Sequence, residues 1–285
     1  RNALLIDLGG TNIRYAFFKK NTLSEISKEK VADEDFIFFL KKLLNEKNND
    51  IDYLVIAAAG PNNQSSINLT NRNLLINSSE LKSELKIKNC LLLNDWEAVA
   101  QSLSELNKEC FLPIKRSFPS NGNTLLIGPG TGLGVTLIIK DQIIPTEFGN
   151  TISPTRSMLE NFEIEDNKTF FSLENILSGP GIEKLYEEKF KKKLSSEEII
   201  SLALAGEKDK LFIIENFLKT LVSIINDLVL SFSCERVIMG GSILNALKPI
   251  LMTERILDYF SSEINPKYSQ LIERTQVDLL TEGEP

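Results

Sequence analysis

Apolar runs broken by glycine turns occur twice along this chain in the same order. Ala3–Leu23 reads ALLIDLGGTNIRYAFFKKNTL and Thr124–Ile144 reads TLLIGPGTGLGVTLIIKDQII, with Leu4 aligned on Leu125. Each copy has an apolar run, a Gly/Thr-rich turn, a second β-rich run, a polar turn near Lys20 or Asp141, and a short third run. That pattern predicts a β-hairpin with a glycine turn, used twice. One such turn arises easily by chance; two, each opening about half of the chain, predict a duplicated fold.

The remaining periodicity fits two α/β lobes. Asp35–Asn45 has the helical period, Asp52–Ala59 and Cys90–Leu93 read as buried strands, and Trp96–Leu106 reads as a helix. Ser172–Leu177 and Ile182–Lys192 are predicted helices separated by Gly179-Pro180-Gly181, taken as a breaker. Leu211–Ser233 is a long helix with a polar stripe at Glu215, Lys219, Ser223 and Asp227, leading into a strand Arg236–Met239 that ends on Gly240-Gly241. Residues 1–97 form the smaller expected lobe and 98–285 the larger.

Composition narrows the chemistry. With 32 basic and 39 acidic residues the net charge is -7, which disfavours nucleic-acid binding. An anion site must then be local, built from backbone N–H groups and a bound metal. There is no histidine, which removes Ser-His-Asp triads and most catalytic zinc sites. General-base work falls to a carboxylate, a lysine or a tyrosine. Cys90, Cys110 and Cys234 are odd in number and widely spaced, which points to a reducing, cytoplasmic setting. The most apolar long segment carries Glu215, Lys219 and Asp227, so no membrane span is expected.

Three short motifs carry candidate chemistry. In Asp7-Leu8-Gly9-Gly10-Thr11-Asn12-x-Arg14 a carboxylate at a strand end meets two glycines and a hydroxyl. Such glycines let backbone N–H groups approach phosphate, and the aspartate can hold Mg²⁺ through water; for this turn alone a plain hairpin turn, with glycine for positive φ, is the slightly better account. Gly128-Pro129-Gly130-Thr131-Gly132-Leu133-Gly134 fails the dinucleotide fingerprint, because Leu133 or Val135 stands where its last glycine is required and a strand follows. No P-loop is present. The pair of glycine hairpins favours a phosphate clamp. Asn94-Asp95 ends a strand and opens a helix, where Asn94 and Glu97 suit a capping box and Asp95 suits either a first-turn acid or a general base.

In order, LIDLGGTNIR, LLLNDWEAVA, GPGTGLGV, SLENILSGPG and VIMGGSI resemble the motifs of bacterial glucokinases, members of the hexokinase, actin and Hsp70 superfamily. The resemblance covers essentially the whole chain. It implies an α/β, two-lobed actin-like fold, ribonuclease H-like and duplicated, with a central cleft, and ATP-dependent phosphorylation of glucose at its 6-hydroxyl. By similarity Asp7, Gly9, Gly10, Thr11 and Asn12 look like the first phosphate loop, with Asp7 holding Mg²⁺ through water. Gly130, Thr131 and Gly132 look like the second loop, and Gly240 and Gly241 like the adenosine contact. Asn94 and Asp95 resemble the sugar-binding pair, with Asp95 the catalytic base; Glu147 and Glu174 resemble the family's sugar-contacting glutamates.

Two departures stand out. Where the family has Glu-Gly-Gly-His, this chain has Glu147-Phe148-Gly149-Asn150, so Asn150 replaces a sugar-contacting histidine. The sequence also stops at Thr281-Glu282-Gly283-Glu284-Pro285, where the family continues into a C-terminal helix. The implied partners are ATP, Mg²⁺ and glucose, with no nucleic acid and no membrane; a homodimer is an open option. The alternatives are a kinase of another hexose and a noncatalytic sugar sensor on the same fold.

Overall fold

The structure, a computed structural model, describes residues 2–9, 12–46, 51–60, 63, 65–69, 73–118, 122–152, 155–165 and 168–281. The chain divides into two compact units, Arg1–Ser102 and Leu103–Pro285. The division falls at 102/103 and not at 97/98, because the helix after Asn94 packs back on the strands of the first unit.

In the first unit the strands are β1 (Ala3–Leu8), β2 (Ile13–Lys19), β3 (Thr22–Leu23), β4 (Ser27–Glu29), β5 (Tyr53–Ala58), the small pair β6 (Ser66–Asn68) and β7 (Leu75–Asn77), and β8 (Asn89–Asn94). The helices are α1 (Phe36–Glu46), α2 (Ser78–Leu85) and α3 (Asp95–Ser102). The main sheet runs β3-β2-β1-β5-β8, with β4 also on β2. β2 is antiparallel to β1, while β5 and β8 continue in parallel. Leu4, Ile6 and Leu8 alternate into the core, where they meet Leu54 and Ile56. Phe36, Phe39, Leu40 and Leu43 form one helical stripe of α1 against the same cluster.

The second unit repeats this plan. Its strands are β9 (Phe111–Lys115), β10 (Asn123–Pro129), β11 (Leu133–Ile139), β12 (Gln142–Thr146), β13 (Cys234–Met239) and β14 (Gln276–Leu280), in the order β12-β11-β10-β13-β14-β9. Its helices are α4 (Thr155–Glu160), α5 (Gly179–Phe190), α6 (Ser196–Leu204), α7 (Lys208–Phe232), α8 (Ser242–Ala246), α9 (Lys248–Leu251), α10 (Glu254–Ser262) and α11 (Ser269–Arg274). Again three successive antiparallel strands, β10 to β12, are followed by parallel strands, β13 and β14, on the far side of the first of them, and β9 adds an antiparallel edge beyond β14. The two-residue turns between the second and third strands match in detail: Lys20 and Asn21 have φ 49° and 61°, Lys140 and Asp141 φ 49° and 64°. Two successive left-handed residues make the turn that suits strand twist. The glycine turns differ by one residue, since Leu8 pairs with Ile13 but Pro129 with Leu133. The mixed α/β duplication read from the chain is therefore present.

Three predicted elements need correction. The helix expected over Trp96–Leu106 is α-helical only to Ser102, whose hydroxyl donates to the Val99 carbonyl at 2.7 Å; a 3₁₀ turn, Leu103–Glu105, follows. Ser172–Leu177 holds only a 3₁₀ turn, Leu173–Asn175, because the Asn175 side-chain oxygen accepts the N–H groups of Phe171 and Ser172 and ties the turn to the chain before it. Gly179-Pro180-Gly181 is not a breaker but the first turn of α5: Ser178 Oγ accepts the Gly181 N–H at 3.0 Å, and Pro180 sits where a helix needs no N–H. Among the described residues no helix is long and apolar enough to cross a membrane.

Candidate functional site

In the first unit the expected residues gather at the ends of β1 and β8. Asp7 stands next to last on β1, and its cross-strand partner Arg14 reaches its carboxylate at 2.9 Å. The turn beyond is closed by a hydrogen bond from the Gly9 N–H to the Asn12 carbonyl, 3.0 Å. Gly10 and Thr11, expected phosphate contacts, lie outside the described residues. Asp7 and Arg14 also border a largely apolar groove of about 470 Å³, with Leu5, Val55, Leu93 and Ala98.

Asn94 is the last residue of β8 and is buried; its amide donates to the Gly60 carbonyl at 3.4 Å, and its Oδ1 accepts from the Trp96 N–H at 2.9 Å. Glu97 reaches back to accept the Asn94 N–H at 3.2 Å, so these two form the cap that the sequence suggests. Asp95 opens α3, half-buried, with Oδ1 accepting the Trp96 N–H at 2.8 Å. Burial pushes its carboxyl above the usual range; the Trp96 N–H draws it back in part, and the Asp7 carboxylate adds to the rise. Asn94 and Glu97 thus satisfy the helix end, and Asp95 is the carboxylate whose proton affinity its surroundings raise.

The second unit assembles its candidates around the end of β10. The Gly130 N–H donates to the Gly132 carbonyl at 2.8 Å, which closes a turn around Thr131. The Gly130 carbonyl accepts the Gly179 N–H, also at 2.8 Å, so the start of α5 is fastened to this hairpin. The Gly240 N–H bonds the Ile127 carbonyl at 3.0 Å, and Gly241, at φ 95°, leaves only 3.0 Å between an added β-carbon and the Pro129 carbonyl. Glycine is required there on both counts. Glu174 lies on the Leu173–Asn175 turn with its carboxylate against Gly132.

Glu147 precedes and Asn150 ends the 3₁₀ turn Phe148–Asn150, where the Asn150 amide donates to the Glu147 carboxylate at 3.2 Å. Gly149 packs so close to β11 that an added β-carbon would stand 2.4 Å from the Leu133 carbonyl. The Leu173 N–H donates to the Thr151 carbonyl at 3.2 Å, tying the two glutamate-bearing turns together. A wide cavity of about 1160 Å³ elsewhere in this unit, lined by Lys108, Arg116, Arg236 and Asp278, contains none of the expected residues.

The Ser178–Gly179 junction escaped the sequence reading, although serine followed two residues later by proline is a helix-start signal. Among the described residues no group of three or more Asp, Glu or Cys side chains is placed to hold a metal ion. Asp7 offers one carboxylate, shared with Arg14. That donor set fits an ion whose remaining oxygens come from phosphates and water.

The family model described as Glucokinase matches residues 4–285. The glucokinase of Pseudomonas paraeruginosa (strain DSM 24068 / PA7) is 29% identical over 238 residues, 75% of this chain and 69% of that protein. Among solved structures, the glucokinase of an Antarctic psychrotroph superposes with a TM-score of 0.80 at 24% identity, covering 99% of this chain and 94% of that one. The Balamuthia mandrillaris glucokinase, solved in complex with glucose, gives 0.78 at 20% identity, covering 100% and 90%. The two structural neighbours share the fold, which is that of the actin-like ATPases.

Proposed function

This chain belongs to the glucokinase family, sugar kinases by their class, and from that premise we propose that it transfers the γ-phosphoryl group of ATP to the 6-hydroxyl of glucose. The observation that carries the reading is Asp95, a half-buried carboxylate at the C-terminal end of a parallel strand, with its proton affinity raised. α/β folds bind ligands at such strand ends. A base whose pKa is closer to neutral accepts a hydroxyl proton more readily as that oxygen attacks phosphorus. Asn94, held by Gly60 and Trp96, would fix the sugar beside it.

In the second unit Glu147, Asn150 and Glu174 would accept sugar hydroxyls, and the Gly130–Gly132 turn with Gly240 and Gly241 would hold the nucleotide. Gly9, Gly10, Thr11 and Asn12 would contact phosphate, Asp7 would hold Mg²⁺ through water, and that ion when bound would offset charge on the phosphoryl oxygens. Arg14 keeps the Asp7 carboxylate oriented until then. Positioning and backbone dipoles supply most of the rate in phosphoryl transfer, and the chain's parts suit that division of labour. Its three thiols are unbridged, in keeping with work in the cytoplasm.

The test is sugar-dependent ADP release with glucose, mannose and fructose in parallel. The reading expects glucose to have the highest kcat/KM. Release with another hexose alone would replace glucose and keep the kinase; binding of glucose with no ADP release from any hexose would leave a sugar sensor.

A further inference from the structure

Gly130 and Gly132 sit two residues apart in one turn but have different surroundings. A β-carbon added at Gly130 would meet nothing within 4 Å. At Gly132 it would stand 2.7 Å from Glu174 Oε2. One glycine of the hairpin is open and the other is covered by a carboxylate.

The backbone beneath Glu174 is fixed. Its carbonyl accepts the Ser178 hydroxyl at 2.6 Å, Leu173 is bonded to Thr151, and Asn175 closes the turn on Phe171 and Ser172. Its side chain is the free variable. A carboxylate and a phosphate carry the same charge, and two anions a few ångströms apart repel by roughly 1 kcal/mol in water and several-fold more in a partly buried site. A phosphate oxygen approaching the Gly132 backbone therefore competes with Glu174.

We propose that Glu174 is a positioning residue that couples the two substrates: without sugar its carboxylate covers the Gly132 end of the hairpin and weakens nucleotide binding, and sugar hydroxyls that donate to it draw it away. The inference rests on the assignment of Glu174 to the sugar made above. The coupling is reciprocal, so nucleotide also tightens sugar by the same factor.

The experiment is titration calorimetry of the full chain with the Mg²⁺ complex of a nonhydrolysable ATP analogue, with and without saturating glucose. For the unaltered protein, glucose should tighten the analogue about tenfold, the effect of removing one nearby like charge. Glu174→Gln should bind the analogue about tenfold more tightly with no sugar present, and glucose should then change its affinity less than about twofold. Glu174→Asp, charged but one methylene shorter, should fall between the two and serves if the glutamine variant does not fold. Glutamine and aspartate variants that bind the sugar-free analogue no better than the parent overturn the proposal; weaker binding overturns it in favour of Glu174 as a ligand of the nucleotide's metal. If glucose has no effect on the parent while Glu174→Gln still tightens the analogue, the covering carboxylate stands and the glucose assignment falls.

Discussion

The Asn150 side-chain amide donates a hydrogen bond to the Glu147 carboxylate across one 3₁₀ turn. Asn150 therefore orients the neighbouring glutamate. An amide donor stays neutral at every working pH, so this hydrogen bond to Glu147 does not depend on the charge of its donor.

Removing that donor should loosen Glu147 more than it alters chemistry. Asn150→Ala is expected to raise the KM for glucose about fivefold, the loss of one exposed hydrogen bond of about 1 kcal/mol, with kcat within about twofold. Asn150→His should raise the kcat/KM ratio of glucose over mannose, because a longer ring restores a contact at the anomeric end. A coupled ADP assay with both sugars checks both variants. Unchanged KM in the alanine variant would show Glu147 to be held by other partners.

Asp95→Asn should lower kcat by about 10²–10⁴-fold, the range for loss of a positioned base. Glucose affinity should move much less, since the amide keeps the shape and an acceptor oxygen for the Trp96 N–H. If turnover persists and only the melting temperature falls, Asp95 is a helix-end residue and nothing more.

The pH profile tests the same carboxylate in the unaltered protein. Burial and the Asp7 carboxylate raise its pKa above the ordinary aspartate value of about 3.9. Asp95 must be ionised to accept a proton, so kcat/KM should be full at higher pH and fall as pH drops through that raised value. The acid limb is therefore expected above the usual aspartate range. With no histidine in the chain, and the Cys90 and Cys234 thiols pushed up to about 11 and about 12 by burial, the profile should then be level through neutrality. An acid limb at or below about pH 4 would remove Asp95 from the role.

The glycine hairpins separate ligand contact from folding. Gly130→Ala meets open space in the fold, so its stability should match the parent, whereas nucleotide affinity should fall about tenfold or more if phosphate approaches that backbone. Gly149→Ala collides with the Leu133 backbone and should destabilise whether or not ligand is present. Melting curves with and without nucleotide distinguish them. Equal nucleotide affinity in Gly130→Ala would make that turn ordinary hairpin chemistry.

Much of this was legible because the signals are periodic. Strand β1 and its copy β10 carry apolar runs ended by glycine, and the matched turns at Lys20-Asn21 and Lys140-Asp141 confirm the repeat at the backbone level. Glycine and proline were less legible, since one tripeptide can end a helix or begin one. Gly179-Pro180-Gly181 begins α5 only because Ser178 accepts the Gly181 N–H and Gly130 accepts the Gly179 N–H. The second of those partners is far away in sequence, and no local pattern reports it. The covering of Gly132 by Glu174 was hidden for the same reason: proximity across loops is a tertiary fact.

Lys115 provides a test of the fold apart from the chemistry. It ends β9, and its ammonium donates to three carbonyls at the C-terminal end of α11 and just beyond: Ile272 at 2.5 Å, Glu273 at 2.9 Å and Thr275 at 2.8 Å. Helix ends leave carbonyls short of backbone donors, although the Thr275 N–H also reaches Ile272, and a cation meets the negative end of the helix dipole. Burial lowers the lysine's pKa while the Glu273 carboxylate raises it, so the charge is retained at some cost. Lys115→Met keeps the stem and deletes the side-chain donor to three carbonyls, those of Ile272 and Thr275 part-buried and that of Glu273 exposed. It should cost about 2 kcal/mol, within the range for hydrogen bonds to a charged group, and lower the melting temperature by about 4–8 °C for a unit of this size. Glucose-dependent ADP release at 25 °C should stay near the parent rate, because β9 carries none of the candidate site residues. A melting temperature equal to the parent's would mean that water satisfies the same carbonyls and that the lysine adds nothing to stability.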